Sequence, residues 1–273
     1  MVNNYVPTTL EEALEIRGRE AVTPYSGGTD LMIHAEETAN YLFLNKIQEL
    51  KNIKVESDFI RIGAGCTFTD LIESNLTPAI LKEAALQVAA PAIRNFGTVG
   101  GNICNGSPKG DSTLVFYATD SILRLVSRKG ERRLPISEFF LGRNQTALQN
   151  DELLVEIIMK KSGIENYYYK KIGARNALAI SRVSFAAVFD TQESKITTLR
   201  TTFGAISDTV VTHVDLDEML IGKTLEEARA LKDEYLDAYD SRIDPIRGRV
   251  SAEYRKAVCK NLLRDFLTSK GIS

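Results

Sequence analysis

The composition of the chain is typical of a globular protein. It has 273 residues, of which 44% are hydrophobic and 26% charged, and these fractions exclude a largely disordered or fibrous protein. The length suits about two domains, each with a core of its own. The 34 Lys and Arg residues are balanced by 36 Asp and Glu residues, which gives a net charge of −2. Since no dense basic run interrupts this balance, we expect no nucleic-acid partner.

The sequence also bears on location and metal content. The N-terminus lacks a basic stretch followed by an apolar one, and no window approaches about 18 uninterrupted apolar residues. We therefore expect a cytoplasmic protein that does not enter a membrane. Cys66, Cys104 and Cys259 lack C-x-x-C spacing, which argues against disulfides, a zinc site and a cysteine-bound iron–sulfur cluster. His34 and His213 have no partner ligands at metal spacing, so we predict no metal site.

Short helices and strands are expected to alternate over the first 162 residues. Thr8 and Thr9 precede an acidic turn, which predicts a helix start. Another helix is expected over 78–90, where Pro91 ends it, and the glycine-rich segment 94–112 is expected to be irregular. The expected strands are 21–25, 41–44, 59–65 and 153–159, with a hairpin of 122–126 and 133–136 whose solvated tip is 127–131.

The pattern changes near residue 162, which predicts a domain boundary there. Beyond the boundary, strands are expected at 167–172, 184–190 and 196–203. Two helices are expected to close the chain, at 224–239 and at 251–267, and the second is amphipathic.

Two glycine pairs are the strongest candidates for ligand binding. In Ser26-Gly27-Gly28-Thr29-Asp30, the first glycine loop, the glycines let the backbone approach a ligand and expose successive N–H groups to an anion. An ordinary tight turn is the alternative for this loop taken alone. In Thr98-Val99-Gly100-Gly101-Asn102, the second glycine loop, hydroxyl and amide side chains could donate to phosphate oxygens. Two such loops suit a dinucleotide, which needs donors from more than one segment.

The common nucleotide motifs are absent from the sequence. Gly63-Ala64-Gly65 begins like the G-x-G-x-x-G fingerprint, but Phe68 stands where the third glycine is required. We interpret this segment as a turn at the end of a strand. No P-loop pattern occurs either, so a bound dinucleotide requires a different scaffold.

The sequence resembles the FAD-binding subunit, or FAD domain, of the molybdenum hydroxylases, the group of xanthine dehydrogenase and carbon monoxide dehydrogenase. The similarity includes Tyr-Ser-Gly-Gly-Thr-Asp-Leu at 25–31 and Ile-Arg-Asn at 93–95, followed by Thr-Val-Gly-Gly-Asn-Ile-Cys-Asn at 98–105. Further matching segments span nearly the whole chain: 107–108, 111–112, 151–154, 171–175, 203–205 and 251–255. The pair Lys109-Gly110 departs from the family, which more often has small residues there, and we expect Lys109 to lie in solvent and Cys104 to be packed.

The resemblance implies an α+β fold. A vanillyl-alcohol-oxidase-type FAD-binding domain of two α/β subdomains is expected over residues 1–162, with subdomains of about 1–52 and 53–162. A smaller α+β C-terminal domain is expected over 163–273, with a three-stranded antiparallel sheet and helices.

The resemblance also implies a cofactor, non-covalent FAD, since no His or Cys occupies a position that signals covalent attachment. Both glycine loops would bind the diphosphate. Ser107 and Asp111 would meet ribityl or ribose hydroxyls, Leu153 would pack near the isoalloxazine or adenine, Lys171 would lie against the cofactor and Val88 near the flavin. The implied cofactor-binding residues are Thr23, Pro24, Tyr25, Ser26, Gly27, Gly28, Thr29, Asp30, Val88, Thr98, Val99, Gly100, Gly101, Asn102, Ser107, Asp111, Leu153 and Lys171.

The implied function is electron transfer within a complex, with no catalytic acid or base on this chain. Electrons from a molybdenum cofactor on a large subunit would pass through [2Fe–2S] clusters on a small subunit to this chain's FAD, and on to NAD⁺ or another acceptor. Two alternatives stay open: a stand-alone flavin oxidoreductase of the same fold, and a non-catalytic nucleotide-binding scaffold. The sequence does not identify the substrate of the complex, the final acceptor or the oligomeric symmetry.

Overall fold

The computed structural model describes residues 3–273, except for the side chain of His34. The expectation that His34 is not a metal ligand therefore concerns a side chain outside the described residues. The chain divides into two compact units. The first comprises the residues up to Thr77 together with Val88–Ser107 and Asp120–Lys161, and the second comprises Pro78–Gln87, Pro108–Thr119 and Ser162–Ser273. Two short segments that precede residue 162 thus group with the C-terminal part, and a domain boundary at residue 162 stays a prediction.

The strands and helices are mostly short. The strands are β1 (Asn4–Tyr5), β2 (Thr23–Tyr25), β3 (Tyr41–Phe43), β4 (Ile53–Glu56), β5 (Phe59–Gly63), β6 (Ile122–Ser127), β7 (Gly130–Pro135), β8 (Phe140–Gly142), β9 (Gln145–Thr146), β10 (Leu153–Lys160), β11 (Tyr167–Ile172), β12 (Val183–Gln192), β13 (Lys195–Gly204) and β14 (Val211–Thr212). The α-helices are α1 (Leu10–Arg19), α2 (Phe68–Glu73), α3 (Ala79–Leu86), α4 (Pro91–Arg94), α5 (Val99–Cys104), α6 (Asp111–Ala118), α7 (Ile136–Phe139), α8 (Val214–Asp217), α9 (Leu225–Ala230), α10 (Lys232–Arg242) and α11 (Ala252–Ser269). Two 3₁₀ turns lie at Leu31–His34 and Gln48–Leu50.

The first unit contains a small parallel sheet in the order β1-β3-β2 and an antiparallel sheet in the order β4-β5-β10-β6-β7. The hairpin of β6 and β7 confirms the prediction, because Ser127 pairs with Gly130 and leaves Arg128 and Lys129 at the tip. Helix α1 begins where the sequence predicts, since the Thr9 side chain accepts a hydrogen bond from the Glu12 amide. Its apolar face shares one buried cluster with β3 and β10, comprising among others Ala13, Leu14, Ile16, Leu42, Leu153 and Val155.

The second unit is built on an antiparallel sheet in the order β11-β12-β13-β14. This sheet has four strands, so the prediction of a three-stranded sheet is wrong. The additional strand, β14, has only the two residues Val211 and Thr212, which pair with Phe203 and Thr202. Two residues are too few to show an alternating pattern in the sequence. The sheet packs on the C-terminal helix α11 through aromatic side chains, with Phe185 and Phe266 ring centroids 5.7 Å apart.

Three predicted segments differ in the structure. The helix of residues 78–90 ends at Leu86, because Ala89 takes a φ of +39° that no helix continues. Segment 94–112 is not irregular: it contains α5 and the start of α6, and Gly100 packs so closely on Ala64 that an added Cβ would lie 2.6 Å from the Ala64 Cβ. Helix 224–239 is broken at Leu231 into α9 and α10, although Ala228 and Tyr235 on either side face one core.

Within the described part of the chain, no helix is both long and apolar enough to cross a lipid bilayer.

Candidate cofactor site

The first glycine loop follows β2, an edge strand of the parallel sheet. Both glycines are required by the local geometry. Gly28 has a φ of +68°, a conformation that side chains disfavour. A Cβ on Gly27 would lie 2.0 Å from the carbonyl oxygen of Phe96, so the loop touches the backbone that leads to the second glycine loop. Glycine at position 27 therefore allows a close approach of backbone to backbone, and glycine at position 28 lets the loop take a left-handed conformation against the Tyr25 ring.

Three backbone amides of the first glycine loop make no hydrogen bond within the described part of the protein. Among the described residues, the N–H groups of Gly27, Gly28 and Thr29 donate to no acceptor. The loop carbonyls are used, since Gly28 accepts from the Met32 amide at 3.0 Å. Successive unused N–H groups on a half-buried loop form a site that attracts an anion. The predicted anion-binding character of this loop therefore has a geometric basis.

The second glycine loop has a different character. The amides of Val99 and Gly100 donate to the carbonyls of Cys66 and Ala64, each at 2.9 Å, and the Gly101 amide donates to the Thr98 hydroxyl oxygen at 3.1 Å. The first two bonds hold the loop against the segment of Ala64 and Cys66, and the third lies within the loop. Gly101 itself is exposed. The nearest atom to an added Cβ would be Thr98 Oγ1, at 2.9 Å, the oxygen that caps helix α5. This loop offers a ligand an open surface without side chains.

A hydrogen bond joins the two glycine loops. The Thr98 hydroxyl donates to Ser26 Oγ at 2.9 Å. Thr98 is buried and Ser26 is half-buried. The structure thus brings the two sequence-predicted loops together within the first unit.

The remaining predicted residues of the first unit are more dispersed. Thr23, Pro24 and Tyr25 form β2 itself and are half-buried. Val88 lies in the turn after α3, where its carbonyl accepts from Arg94 at 2.8 Å. The side chain of Leu153 is only 2% exposed and belongs to the apolar core. Ser107, Asp30 and Asn102 also belong to this unit, and Ser107 and Asn102 are half-buried whereas Asp30 is exposed.

The second unit holds the other two predicted residues, Asp111 and Lys171, as a buried ion pair. Lys171 Nζ lies 2.6 Å from Asp111 Oδ2, and the two side chains are 7% and 8% exposed. The ammonium also donates to the carbonyl of Gln87 at 2.8 Å. One of its three N–H groups therefore has no acceptor among the described residues.

Two further groups surround Asp111, and sequence reasoning missed both. Ser181 Oγ donates to Asp111 Oδ1 at 2.9 Å. Burial raises the pKa of Asp111, and the charge of Lys171 opposes that rise. The Tyr169 hydroxyl is buried near this carboxylate, and burial followed by the Asp111 charge raises the Tyr169 pKa well above its ordinary value. No motif marks Ser181 or Tyr169. Ser181 precedes strand β12, and Tyr169 is one of several tyrosines in strand β11.

These residues fit FAD on observations made within each unit. The first unit supplies unused amides beside Gly27 and Gly28, whose Cβ positions are closed by the Phe96 backbone and the Tyr25 side chain, and it leaves Gly101 exposed. The second supplies a charged pair with a spare N–H donor. In contrast, Cys104 offers no reactive thiol, because burial raises its pKa to about 12. The described residues contain no group of three or more His, Cys, Asp and Glu that could hold a metal ion.

Two family models match the chain. Residues 1–159 match the FAD binding domain in molybdopterin dehydrogenase, and residues 167–269 match the CO dehydrogenase flavoprotein C-terminal domain. The nicotinate dehydrogenase FAD-subunit of Eubacterium barkeri is 30% identical over an alignment of 284 positions, which covers 96% of this chain and 95% of the relative. The xanthine dehydrogenase FAD-binding subunit of Escherichia coli O157:H7 is 34% identical over 197 residues, covering 68% and 67%.

Solved structures agree with these matches. A carbon monoxide dehydrogenase from Hydrogenophaga pseudoflava, which lacks the Mo-pyranopterin moiety of its cofactor, contains a chain that superposes with a TM-score of 0.87. The identity is 26%, and the alignment covers 98% of this chain and 96% of that one. The α+β fold with an FAD-binding domain and a C-terminal domain is thereby confirmed.

The fold and the site together define an FAD-binding flavoprotein with oxidoreductase relatives. More specifically, the chain belongs to the FAD-binding subunits of the molybdenum hydroxylase-type dehydrogenases. Its cofactor is FAD, and it is an FAD-dependent oxidoreductase subunit.

Proposed function

We propose that this chain passes electrons from [2Fe–2S] clusters on a partner subunit, through its FAD, to NAD⁺ or another acceptor. A further large subunit carries the molybdenum cofactor. The relatives support a role within a larger enzyme, since their names describe them as an FAD-subunit and an FAD-binding subunit. We also infer a cytoplasmic location, which the free thiols of Cys66, Cys104 and Cys259 favour.

The hydrogen bond between Thr98 and Ser26 carries this proposal, because it brings the two glycine loops to one place. In the proposed site, the amides of Gly27, Gly28 and Thr29 bind the diphosphate of non-covalent FAD. Gly101 lets the cofactor lie against the second glycine loop without a clash. When bound, FAD supplies both one-electron and two-electron chemistry, and the protein supplies binding and orientation.

The side chains of the second unit have complementary roles in the proposal. Lys171 would donate its remaining N–H to the cofactor, and Asp111 orients the ammonium through their ion pair. Ser181 in turn orients Asp111 through their 2.9 Å hydrogen bond. We assign no catalytic acid or base to this chain.

The first experiment is the absorbance spectrum of the purified chain. The chain is then denatured, and any released flavin is identified by chromatography. We expect a yellow protein that releases intact FAD, because the site binds the cofactor without a covalent bond. A colourless protein that also fails to take up added FAD would contradict the proposal.

A second experiment tests the place of the chain in a complex. The tagged chain is purified from its native cells and its partners are analysed for iron, acid-labile sulfide and molybdenum. We expect one partner with [2Fe–2S] clusters and another with molybdenum. An added substrate of the molybdenum subunit should reduce the FAD only when both partners are present. Turnover of a substrate by the isolated chain would instead favour a stand-alone flavin oxidoreductase. Addition of NAD⁺ to the reduced complex identifies or excludes that acceptor.

A further inference from the structure

Arg94 makes an unusual pair of contacts in the first unit. It is the last residue of α4, and its Nη1 donates to the carbonyls of Val88 and Ala89, each at 2.8 Å. Both carbonyls precede the start of this helix at Pro91. These two bonds run to the turn before the helix, whereas a basic residue in the last turn usually binds the C-terminal carbonyls of its own helix. Arg94 folds back over the preceding turn.

That turn is strained and has little backbone support. Ala89 has a φ of +39°, in the left-handed region that a residue with a Cβ disfavours. Among the described residues, no backbone amide donates to the carbonyls of Val88 and Ala89. The two acceptors that the turn leaves unused are the two that Arg94 binds. Removal of the guanidinium leaves these carbonyls without the donors that fix the turn.

The same short helix also supports the first glycine loop. The carbonyl of Ile93 accepts from the amides of Phe96 and Gly97, at 3.2 Å and 2.7 Å. This turn places the Phe96 carbonyl against Gly27, where an added Cβ would lie 2.0 Å away. Arg94 thus lies between two parts of the candidate site: the turn that carries Val88, and the backbone that packs against the diphosphate-binding loop.

We propose that Arg94 is a positioning residue for the flavin: its guanidinium holds the strained turn at Val88 and Ala89 in the conformation that presents Val88 to the isoalloxazine. This inference rests on the proposed function and on the sequence-based expectation that Val88 lies near the flavin. Arg94 acts through the turn and not through contact with FAD. A neutral side chain that cannot bind both carbonyls lets Ala89 relax from its positive φ and moves Val88.

The test compares Arg94→Gln, Arg94→Lys and the double variant Ala89→Gly/Arg94→Gln in the full chain reconstituted with FAD. We expect Arg94→Gln to weaken FAD binding about tenfold or more, since hydrogen bonds to charged groups are lost. It also changes the shape of the visible absorption band of bound flavin. Arg94→Lys retains the charge but not the paired geometry, and has an intermediate effect. Glycine at position 89 takes a positive φ without steric cost, so the double variant recovers part of the affinity and of the band shape.

Thermal unfolding of the apoprotein separates positioning from general stability. Arg128→Gln is the matched control, because Arg128 is an exposed arginine of the β6–β7 hairpin whose ion contact with Glu15 is long, at 3.8 Å. We expect this control to bind FAD as the wild type does. If Arg94→Gln does not fold, Arg94→Lys and its double variant with Ala89→Gly replace it in the comparison.

The outcomes separate the inference from the proposed function. Wild-type affinity and an unchanged band in Arg94→Gln would overturn the inference alone. A loss of FAD affinity in proportion to the loss of apoprotein stability, with no recovery by Ala89→Gly, would also overturn the inference. Arg94 would then stabilise the fold in general and not position the flavin. A wild-type chain that binds no FAD would overturn the proposed function and this inference with it.

Discussion

The Thr98 hydroxyl donates to Ser26 Oγ at 2.9 Å, although these residues lie 72 positions apart in the sequence. The same oxygen accepts from the Gly101 amide at 3.1 Å, so Thr98 caps α5 and links the glycine loops at once. One side chain therefore determines both the start of a helix and the distance between two cofactor loops.

Thr98→Val removes both interactions of the hydroxyl while keeping the shape of the side chain. We expect a loss of about 1 kcal/mol in the free energy of unfolding, as for other helix caps, and FAD binding weakened about tenfold. Thr9→Val is the matched control, because Thr9 caps α1 in the same way. Urea unfolding and FAD titration of both variants test this. Equal FAD affinity in the two variants would show that the link between the loops does not matter for binding.

Gly101→Val tests the open surface of the second glycine loop. Because Gly101 is exposed and an added Cβ would approach only the Thr98 Oγ1, we expect the fold to persist and FAD binding to be lost. Gly18→Ala in α1 is the control, and it should stabilise the apoprotein by about 0.5–1 kcal/mol without affecting the cofactor. Circular dichroism and flavin content after reconstitution distinguish the two. A Gly101→Val protein with full flavin content would contradict the assignment of this loop.

The Asp111–Lys171 pair predicts a large coupling energy. Lys171→Met leaves a buried carboxylate without its cation, and we expect it to lower the free energy of unfolding by about 3–5 kcal/mol. Combination with Asp111→Asn should recover much of this loss, since no unpaired charge is then buried. Lys129→Met is the control, because that lysine pairs with Asp151 on the surface and its side chain is 85% exposed. It should cause little change.

A double-mutant cycle measured by urea unfolding gives the coupling directly. Additive effects of Lys171→Met and Asp111→Asn would mean that the two groups are stabilised independently. The same variants, titrated with FAD, show whether the pair also contributes to cofactor binding. Loss of affinity in Asp111→Asn at unchanged stability would support a direct role of this carboxylate.

Asp217 predicts a pH dependence of stability in the second unit. Its side chain is 1% exposed and accepts hydrogen bonds from Thr201, Tyr235 and Tyr239. Burial raises the pKa of Asp217 to about 6, although these hydrogen bonds oppose the rise. Because the folded-state pKa exceeds the unfolded value of about 3.9, the folded protein binds the proton more tightly. The contribution to stability is complete below about pH 4 and is lost as the pH rises through about 6.

The measurement is the free energy of unfolding of the wild type relative to Asp217→Asn between pH 4 and pH 7. The wild type should lose on the order of 2–3 kcal/mol relative to the variant across that range. Subtraction of the variant at each pH removes the contribution of the other titrating groups. A wild type that instead gains stability relative to the variant would show that the hydrogen bonds outweigh burial and keep the carboxylate ionised.

The sequence predicted helices and strands best where the signal came from neighbouring residues. The hairpin of β6 and β7, the cap of α1 and strands β11, β12 and β13 follow from turn residues, capping residues and runs of apolar or aromatic residues within a few positions. Helix α6 was missed, because all eight of its residues are buried and it has no polar face to create a helical period. The end of α3 at Leu86 was missed because its cause, the turn at Ala89, is held by a side chain five residues later.

The candidate site shows the same limit. The glycine loops could be recognised from sequence because a glycine pair is itself a local signal. Their contact through Ser26 and Thr98 depends on the fold, as does the position of Ser181 next to Asp111. A single serine at the start of a strand carries no pattern that predicts its partner. The residues that orient the predicted residues therefore became visible only in three dimensions.

The three thiols of this flavoprotein bear on its reaction with oxidants. Burial raises the pKa values of Cys66, Cys104 and Cys259 to about 12 each. Oxidation by peroxide requires the thiolate, so its rate follows the small ionised fraction. Reduced flavins that meet oxygen release hydrogen peroxide. We therefore expect slow oxidation of these three cysteines by peroxide formed at the cofactor, because little of each thiol is ionised at neutral pH.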